Sequence, residues 1–465
     1  MGAIRTVAVI GAGPVGLAAA AHLLERGLDP VVLEAGPAVG HAMRQWSHVR
    51  LFSPWGYDID KAASRLLAPS GWNSPDPQAY PTGGELVERY LEPLATRTAL
   101  RNHIKTTARV TGIGRVGFDK VKTSGRERAP FELRYRNGAG DGTLVADAVI
   151  DASGTWFSPN PAGASGLPAI GEQAAWERIA YGMPDVLGAE RARYAGKMVA
   201  VLGAGHSAAG TLIDLAALAR NAPETRIIWL LRGDDPAKSF GGGANDKLAA
   251  RGAVGLMLAD LVAKGGLRVE TSFRVSRIES ADRGLRIAAT MAGSARDMVV
   301  DELIVATGFR PDLGFLNELR LGLDPALECP PALAPLIDPN EHSCGTVRPH
   351  GAQELAQPEP GFYIAGMKSY GRAPTFLMLT GYEQVRSIAA ALAGDRKAAR
   401  RVELVLPETG VCNVTASAPA SGCCGGPPTS DVSACCAADE AAKLAGPGGC
   451  TTQHGGCGPR EMSKG

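Results

Sequence analysis

The sequence predicts an α/β fold in which one structural plan occurs twice. Near the start, the apolar residues 7–10 lead into a turn containing Gly11, Gly13 and Gly16, and an Ala- and Leu-rich helix follows. The same order of strand, glycine turn and helix begins again at residue 198. Strands that alternate with helices in this way are typical of parallel sheets covered by helices on both faces.

The first glycine turn predicts a dinucleotide site. Gly11 would make the tight turn, Gly13 would let a pyrophosphate approach the backbone, and Gly16 would let helix and strand pack closely. Pro14 suits the first turn of the helix. The next apolar strand ends in Glu34, an acid about 20 residues on that can accept hydrogen bonds from a ribose diol. The alternative is an ordinary strand-to-helix turn.

Composition excludes several classes of partner. The 465 residues carry a net charge of +1, so no basic surface for nucleic acid is expected. No apolar run is long enough to cross a bilayer, and the first strand follows Met1 closely, which leaves no room for a signal peptide. We therefore expect a cytoplasmic protein without nucleic-acid or membrane partners.

Aromatic and basic residues follow Glu34, where a flavin ring and its substrate would lie. The candidates for such a flavin-facing pocket are Arg44, Trp46, His48 and Trp55. The alternative is a loop that folds back on the core. Chemistry carried out by a flavin requires no side-chain nucleophile.

Residues 108–150 change to the alternating pattern of antiparallel strands, with a turn at Asn137 and Gly138. This segment closes on a small-residue turn that contains Gly154. A second alternating segment closes in the same way at Gly308, so the whole plan is duplicated.

The second glycine turn predicts a second nucleotide site, with alanine at the third position, which the pattern permits. Its predicted contacts are Gly203, Gly205, His206, Ser207 and Ala208. The following strand ends in Arg232 instead of an acid. An arginine there can pair with a 2′-phosphate, so NADPH is favoured over NADH.

A last buried strand ends at Gly366, and a helix is predicted from Thr375 to Leu392. The amides of its first turn could face a flavin pyrimidine ring, because the N-terminus is the positive end of the helix dipole.

These segments resemble the flavoproteins with two dinucleotide domains, the class of flavin monooxygenases and pyridine-nucleotide disulfide reductases. The resemblance implies two nested Rossmann-like domains. A discontinuous FAD domain would comprise residues 1–158 and 301–402, and an NADPH domain residues 159–300. By resemblance, the first loop and Glu34 bind FAD, the second loop binds NADPH, Gly154 and Gly308 are the crossing turns, and Gly366 lies near the FAD ribityl chain.

Three departures narrow the class. No cysteine precedes Cys329, so the disulfide of the reductases is missing from its usual place. The class B monooxygenase signature is absent before the second loop. The residue after Gly366 is Met367, where the family often has aspartate. The chain therefore looks like a divergent flavin monooxygenase, and residues 52–55 and 205–207 look similar to flavoproteins of bacterial arsenic-resistance clusters.

Seven of the nine cysteines lie between residues 412 and 457. Residues 407–465 contain no aromatic residue and are rich in Gly, Pro, Ala and Ser, which predicts a largely disordered tail. Paired thiolates suit soft ions such as As(III), Hg(II), Cu(I) or Zn(II). The candidate ligands are Cys423, Cys424, Cys435, Cys436, Cys450 and Cys457. The alternative is a low-complexity extension with incidental cysteines.

The leading hypothesis is an NADPH-dependent FAD monooxygenase that acts on a thiophilic or arsenic-type substrate, with O2 as the second substrate. The second is an electron-transfer reductase that uses the tail cysteines. The third is a metalloid-binding or sensing protein on a vestigial flavoprotein core. The sequence leaves the oligomeric state open, and a homodimer is one expectation.

Overall fold

A computed structural model describes residues 4–243, 246, 248–340, 347–374 and 376–404. The chain divides into a unit of residues 1–414 and a C-terminal unit of residues 415–465, which lies outside the described residues. Within the described part, no helix has the length and apolar character needed to cross a membrane.

The described part of the chain forms sixteen strands. They are β1 (Thr6–Ile10), β2 (Asp29–Leu33), β3 (Ile104–Lys105), β4 (Arg109–Arg115), β5 (Phe131–Asn137), β6 (Gly140–Ala146), β7 (Ala148–Asp151), β8 (Ile179–Tyr181), β9 (Met198–Leu202), β10 (Arg226–Leu230), β11 (Arg268–Glu270), β12 (Phe273–Ser280), β13 (Leu285–Met291), β14 (Ser294–Val300), β15 (Glu302–Val305) and β16 (Phe362–Ile364).

Twelve α-helices accompany these strands in the same part. They are α1 (Pro14–Glu25), α2 (His41–Arg44), α3 (Trp55–Asp58), α4 (Lys61–Leu67), α5 (Gly83–Leu86), α6 (Glu92–Arg97), α7 (Arg191–Tyr194), α8 (His206–Asn221), α9 (Ala249–Ala263), α10 (Ala334–Ile337), α11 (Met378–Leu392) and α12 (Arg396–Arg400). A π-helical turn, Val87–Leu91, joins α5 to α6.

Two parallel sheets confirm the predicted α/β fold with a duplicated plan. The first has the spatial order β16-β7-β1-β2-β3, and the second has the order β11-β10-β9-β15-β8. Their central strands are apolar and almost fully buried, as expected where helices cover both faces. The carboxyl ends of β1 and β9 each lead into a glycine loop, so both loops lie at the sheet edge where ligands bind in such folds.

The predicted domain boundary between residues 300 and 301 is one strand too early. Strand β15 was assigned to the FAD domain, but it pairs in parallel with β9 and β8 of the second sheet. The chain therefore leaves the second sheet only after Val305. An apolar run shows that a strand is buried but does not show which sheet contains it.

The two alternating segments form the predicted antiparallel meanders, β4-β5-β6 and β12-β13-β14. The turn at Asn137 and Gly138 joins β5 to β6. One helix differs from prediction, because α11 begins at Met378 and not at Thr375, which lies outside the described residues.

Candidate functional site

The first glycine loop leaves open space where a pyrophosphate is expected. A Cβ on Gly11, whose φ is +94°, would lie 2.8 Å from the carbonyl oxygen of Ala152. A Cβ on Gly16 would lie 1.9 Å from the oxygen of Gly11. At Gly13, the residue that caps α1, a Cβ would meet nothing within 4 Å. Pro14 begins the helix, whose first N–H groups are available to a ligand.

Glu34 is fixed by the backbone at the end of β2. Its side chain accepts hydrogen bonds from the N–H of Ala12 and the N–H of Gly36, both at 2.7 Å. The residue is 8% exposed. Each carboxylate oxygen retains a lone pair for a hydroxyl donor, which suits a ribose diol.

A pocket of about 540 Å³ opens next to the ends of β2 and β3. The N–H of Thr107 donates to the oxygen of Gly36 at 2.7 Å, which ties this wall to the segment after Glu34. Arg44 lines the pocket and forms an ion pair with Glu92. Arg44, a candidate for the flavin-facing pocket, therefore lies beside Glu92 in the wall of this pocket.

The second glycine loop repeats the first. Gly203 has φ +148°, and a Cβ there would lie 2.3 Å from a backbone oxygen of the chain after β15. Gly205 caps α8, and a Cβ there would meet nothing within 4 Å. Ala208 is fully buried, as close helix-to-strand packing requires. His206 and Ser207 begin the helix and are partly exposed.

Arg232 follows β10 and lines a second pocket, of about 510 Å³. Its guanidinium donates one long hydrogen bond of 3.4 Å to the oxygen of Ala164. No carboxylate is among the described residues that line this pocket. The positive charge is therefore available to an anion.

Aromatic rings come together beside the two crossing turns. Gly154 and Gly308 have φ values of +71° and +88°, as left-handed turns require. The rings of Trp156 and Phe309 have centroids 4.7 Å apart, and Trp46 lies 6.2 Å from Trp156. Trp46, a candidate for the flavin-facing pocket, thus lies beside the first crossing turn.

A second contact joins the segment after Glu34 to the second loop. The ring of Phe52 lies edge-on to His206, with centroids 5.3 Å apart. Burial lowers the pKa of His206. Burial also raises the pKa of Asp214 on α8, and the charge of nearby His48 opposes that shift. His48 therefore lies near Asp214 of α8.

The end of β16 packs closely on the first loop. A Cβ on Gly366, whose φ is +70°, would lie 3.3 Å from Val15, and one on Gly381 of α11 would lie 2.6 Å from the same side chain. Only small residues allow this approach. Thr375, the remaining predicted contact near this point, lies outside the described residues.

A buried ion pair stands beside Met367, where the family often has aspartate. The ammonium of Lys368 donates to Asp151 at 2.7 Å and to Ser153 at 3.2 Å, and both charged side chains are 0% exposed. The pair ties the end of β16 to the first crossing turn. Asp151 at the end of a buried strand was visible in the sequence, but its partner lies 217 positions away.

Trp55 is wrongly predicted as a residue of the flavin-facing pocket. It is 1% exposed and belongs to the main hydrophobic core, with the guanidinium of Arg89 5.5 Å from its ring. The alternative stated for this segment, a loop that folds back on the core, holds at this position. Asp58, three residues on, is also fully buried.

The thiols of the described residues offer no relay to a flavin. Cys329 is buried, and burial raises the pKa of its thiol to about 12. No group of three or more metal-ligating side chains occurs in the described ranges. The six predicted tail ligands lie outside the described residues.

Comparison with known proteins identifies the family. Residues 8–329 match the model of the pyridine nucleotide-disulphide oxidoreductase family, and this chain belongs to that family. The family assignment confirms the predicted enzyme class, a pyridine-nucleotide-dependent oxidoreductase, and is consistent with the predicted cofactors FAD and NADPH.

One curated relative is a flavin-containing monooxygenase. The flavin-containing monooxygenase FMO GS-OX-like 2 of Arabidopsis thaliana is 25% identical over 241 residues, 46% of this chain. The match spans about half of that relative, 48% of its length.

Two solved structures share the fold. Bacillithiol disulfide reductase Bdr (YpdA) from Bacillus cereus has a TM-score of 0.61 and 18% identity, over 84% of this chain and 99% of that one. DfoA, a cadaverine monooxygenase from Erwinia amylovora, has a TM-score of 0.58 and 15% identity, over 88% and 100%.

Sequence reasoning missed three positions at this site: Phe52 as a partner of the second loop, Lys368, and Arg274, which lines the Arg232 pocket. The alternation of β12 indicates that Arg274 points outward, but nothing local shows what it faces.

Proposed function

We propose that the chain is an NADPH-dependent FAD monooxygenase that acts on a thiophilic, arsenic-type substrate. The observation that carries the proposal has two parts. Both glycine loops are open, and the described part of the chain contains no pair of cysteines that could accept electrons from a flavin. No cysteine precedes Cys329 in the chain, so the disulfide that accepts electrons in the reductases is missing from its usual place. Cys329 itself is a buried free thiol. O2 is the acceptor that fits this arrangement.

The first loop fits FAD. The open position at Gly13 and the free amides of α1 would hold the pyrophosphate. The carboxylate of Glu34, already oriented by two backbone N–H groups, would accept from the ribose. The pocket that contains Arg44 has room for the adenine.

The second loop fits NADPH. The open position at Gly205 would hold the second pyrophosphate, and His206 and Ser207 begin the helix beside it. Arg232 has no acidic partner among the described residues and presents its guanidinium, which donates one long bond to Ala164, where the 2′-phosphate would lie. No acid occupies that place to favour NADH.

The chemistry that bound FAD supplies is hydride acceptance from NADPH and then activation of O2. One oxygen atom goes to the substrate, and the other leaves as water with the two electrons of NADPH. The protein's contribution is to position the two nucleotides and exclude water. The rings of Trp46, Trp156 and Phe309 supply apolar surface at the crossing point, which supports that second role.

The substrate class rests on two sequence features. Residues 52–55 and 205–207 look similar to flavoproteins of arsenic-resistance clusters, and the tail contains two vicinal cysteine pairs, Cys423-Cys424 and Cys435-Cys436. Thiolates prefer soft ions such as As(III). The tail would capture the ion and raise its concentration near the flavin domain.

The same cysteine pairs favour one alternative, an electron-transfer reductase in which the tail accepts electrons from the flavin. The two functions differ in the fate of O2. A reductase would oxidise NADPH under nitrogen when a disulfide or Hg(II) is supplied. A monooxygenase would require O2.

The test is to follow NADPH and O2 together in the full-length protein, with arsenite as the probe. We expect arsenite to increase both rates equally, with one atom of ¹⁸O₂ entering the arsenic product. NADPH oxidation that continues under nitrogen, with reduction of an added disulfide, would favour the reductase. A variant with the four paired cysteines changed to serine should require more arsenite for half-maximal rate.

A further inference from the structure

The pocket that contains Arg232 is assembled from three separate parts of the chain. Its lining comes from the turn after β10, the start of β12 and the segment that follows the first crossing turn. The lining residues are Ala164, Ser165, Arg232, Gly233 and Arg274. Two of the five are arginines and none is acidic, so the pocket suits an anion.

Backbone hydrogen bonds join the two segments that carry the arginines. The N–H of Phe273 donates to the oxygen of Leu231 at 2.8 Å, and the N–H of Ser272 donates to the oxygen of Gly233 at 2.7 Å. Ser272 has φ +53°, a conformation that non-glycine residues seldom adopt. These bonds hold the start of β12, and hence Arg274, against the turn that carries Arg232.

The third part of the pocket is attached in the same way. The N–H of Ala164 donates to the oxygen of Val275 at 3.0 Å. The neighbouring hydroxyl of Ser165 makes no hydrogen bond within the described residues and lines the pocket. A neutral donor therefore stands beside the two cations.

Arg274 differs from neighbouring arginines in having no acidic partner. On the same strand, Arg277 pairs with Glu279 at 2.8 Å, and on the preceding strand Arg268 pairs with Glu270. The Arg274 side chain makes no hydrogen bond or ion pair with any described residue. Two adjacent guanidinium groups with unused donors repel each other unless an anion lies between them.

We propose that Arg274 is a second determinant of NADPH selection, which binds the 2′-phosphate from β12 while Arg232 binds it from the turn after β10, with Ser165 as an added donor. This inference rests on the proposed use of NADPH. A phosphate monoester dianion matches two guanidinium forks and a hydroxyl in charge and in number of acceptors. NADH, which lacks that phosphate, would leave both arginines unpaired.

The experiment measures binding to the full-length protein by calorimetry, without turnover. The probes are adenosine 2′,5′-bisphosphate, which carries the phosphate in question, and 5′-AMP, which lacks it. Loss of one charge-assisted contact corresponds to about a 10- to 100-fold change in affinity. We expect Arg274→Ala to weaken binding of the bisphosphate by that factor and to change 5′-AMP binding by less than about twofold.

Three further variants complete the design. Arg274→Lys should recover part of the loss. Arg232→Ala combined with Arg274→Ala should reduce bisphosphate binding to the level of 5′-AMP. Arg277→Ala is the matched control, because it removes a paired arginine of the same strand, and it should leave both probes unaffected.

The outcomes separate the inference from the proposed function. If the wild type prefers the bisphosphate and Arg232→Ala removes the preference while Arg274→Ala does not, the role of Arg274 is refuted and NADPH use stands. Equal loss of both probes in Arg274→Ala also refutes it, because the effect then lies elsewhere than at the phosphate. If the wild type itself shows no preference, both the inference and NADPH selection fail.

Discussion

Asp58 gives a prediction that links burial directly to pH-dependent stability. Its carboxyl is fully buried at the end of α3. One oxygen accepts a hydrogen bond from the Ser53 hydroxyl at 2.7 Å, and the other has no partner in the described part of the chain. Burial raises the pKa of Asp58 to about 7, and the Ser53 hydrogen bond only partly opposes this.

Within the described residues, no cationic side chain hydrogen-bonds to or forms an ion pair with the Asp58 carboxyl. The hydroxyl of Tyr382 on α11 donates to the backbone oxygen of Asp58 at 2.6 Å. The hydroxyl of Tyr90 accepts from the N–H of Asp60, and the Asp60 carboxylate lies 3.0 Å from His22. Ionised Asp58 would therefore face buried hydroxyls and a second acid.

The sign of the effect follows from linkage. The pKa of the folded state lies above the unfolded value near 4, so the folded protein holds the extra proton between about pH 4 and about pH 7. The stabilisation is complete below the unfolded pKa and is lost as pH rises through the folded one. With a shift of about three pKa units, the free energy of unfolding should fall by about 2–3 kcal/mol between about pH 5 and about pH 8.

Asp58→Asn removes the titration and keeps the shape. The amide of asparagine places hydrogen-bond donors where the Asp58 carboxyl oxygen has no partner, which can change the free energy of unfolding at every pH. The comparison therefore uses the slope of that free energy against pH and not its absolute value. We expect urea denaturation at a series of pH values to show this fall of about 2–3 kcal/mol in the wild type but not in Asp58→Asn. Asp141→Asn, at an exposed carboxylate, should keep the wild-type slope. Parallel pH profiles for wild type and Asp58→Asn would refute the assignment of a neutral buried acid.

Three further predictions follow from the loops, the core and the tail. Gly13→Ala should fold normally but lose FAD affinity, measured by fluorescence. Gly16→Ala should fail to fold, because its Cβ would lie 1.9 Å from a backbone oxygen. Equal behaviour of the two variants would contradict this. Glu359→Gln should lower the free energy of unfolding by about 3–5 kcal/mol, because two buried arginines lose their shared carboxylate; a change under about 1 kcal/mol in urea denaturation would contradict it. Ending the chain after residue 406 should leave FAD binding and reduction by NADPH unchanged while abolishing tight arsenite binding, and calorimetry that gives equal arsenite affinity for both proteins would exclude the tail.

Several features followed from the sequence alone because they depend on neighbouring residues. The first loop needs glycine at Gly11 for its positive φ and at Gly16 for a contact with a residue five positions away. The turn at Asn137 and Gly138 joins strands that are adjacent in the chain. Duplication of the plan fixed the fold class, since each copy places a strand, turn and helix within about 25 residues.

Other features were decided only by contacts between distant positions. Arg44 forms an ion pair with Glu92, 48 positions away, and the Tyr382 hydroxyl donates to the backbone oxygen of Asp58, 324 positions away. Strand β15 belongs to the second sheet because it pairs with β9. Arg274 lies at the Arg232 pocket because backbone hydrogen bonds join the start of β12 to the turn after β10. Residue type and local period indicate that a side chain is buried or charged. The partner that satisfies it is selected by packing and by the hydrogen bonds that buried polar groups require, and these exist only once the sheets have formed.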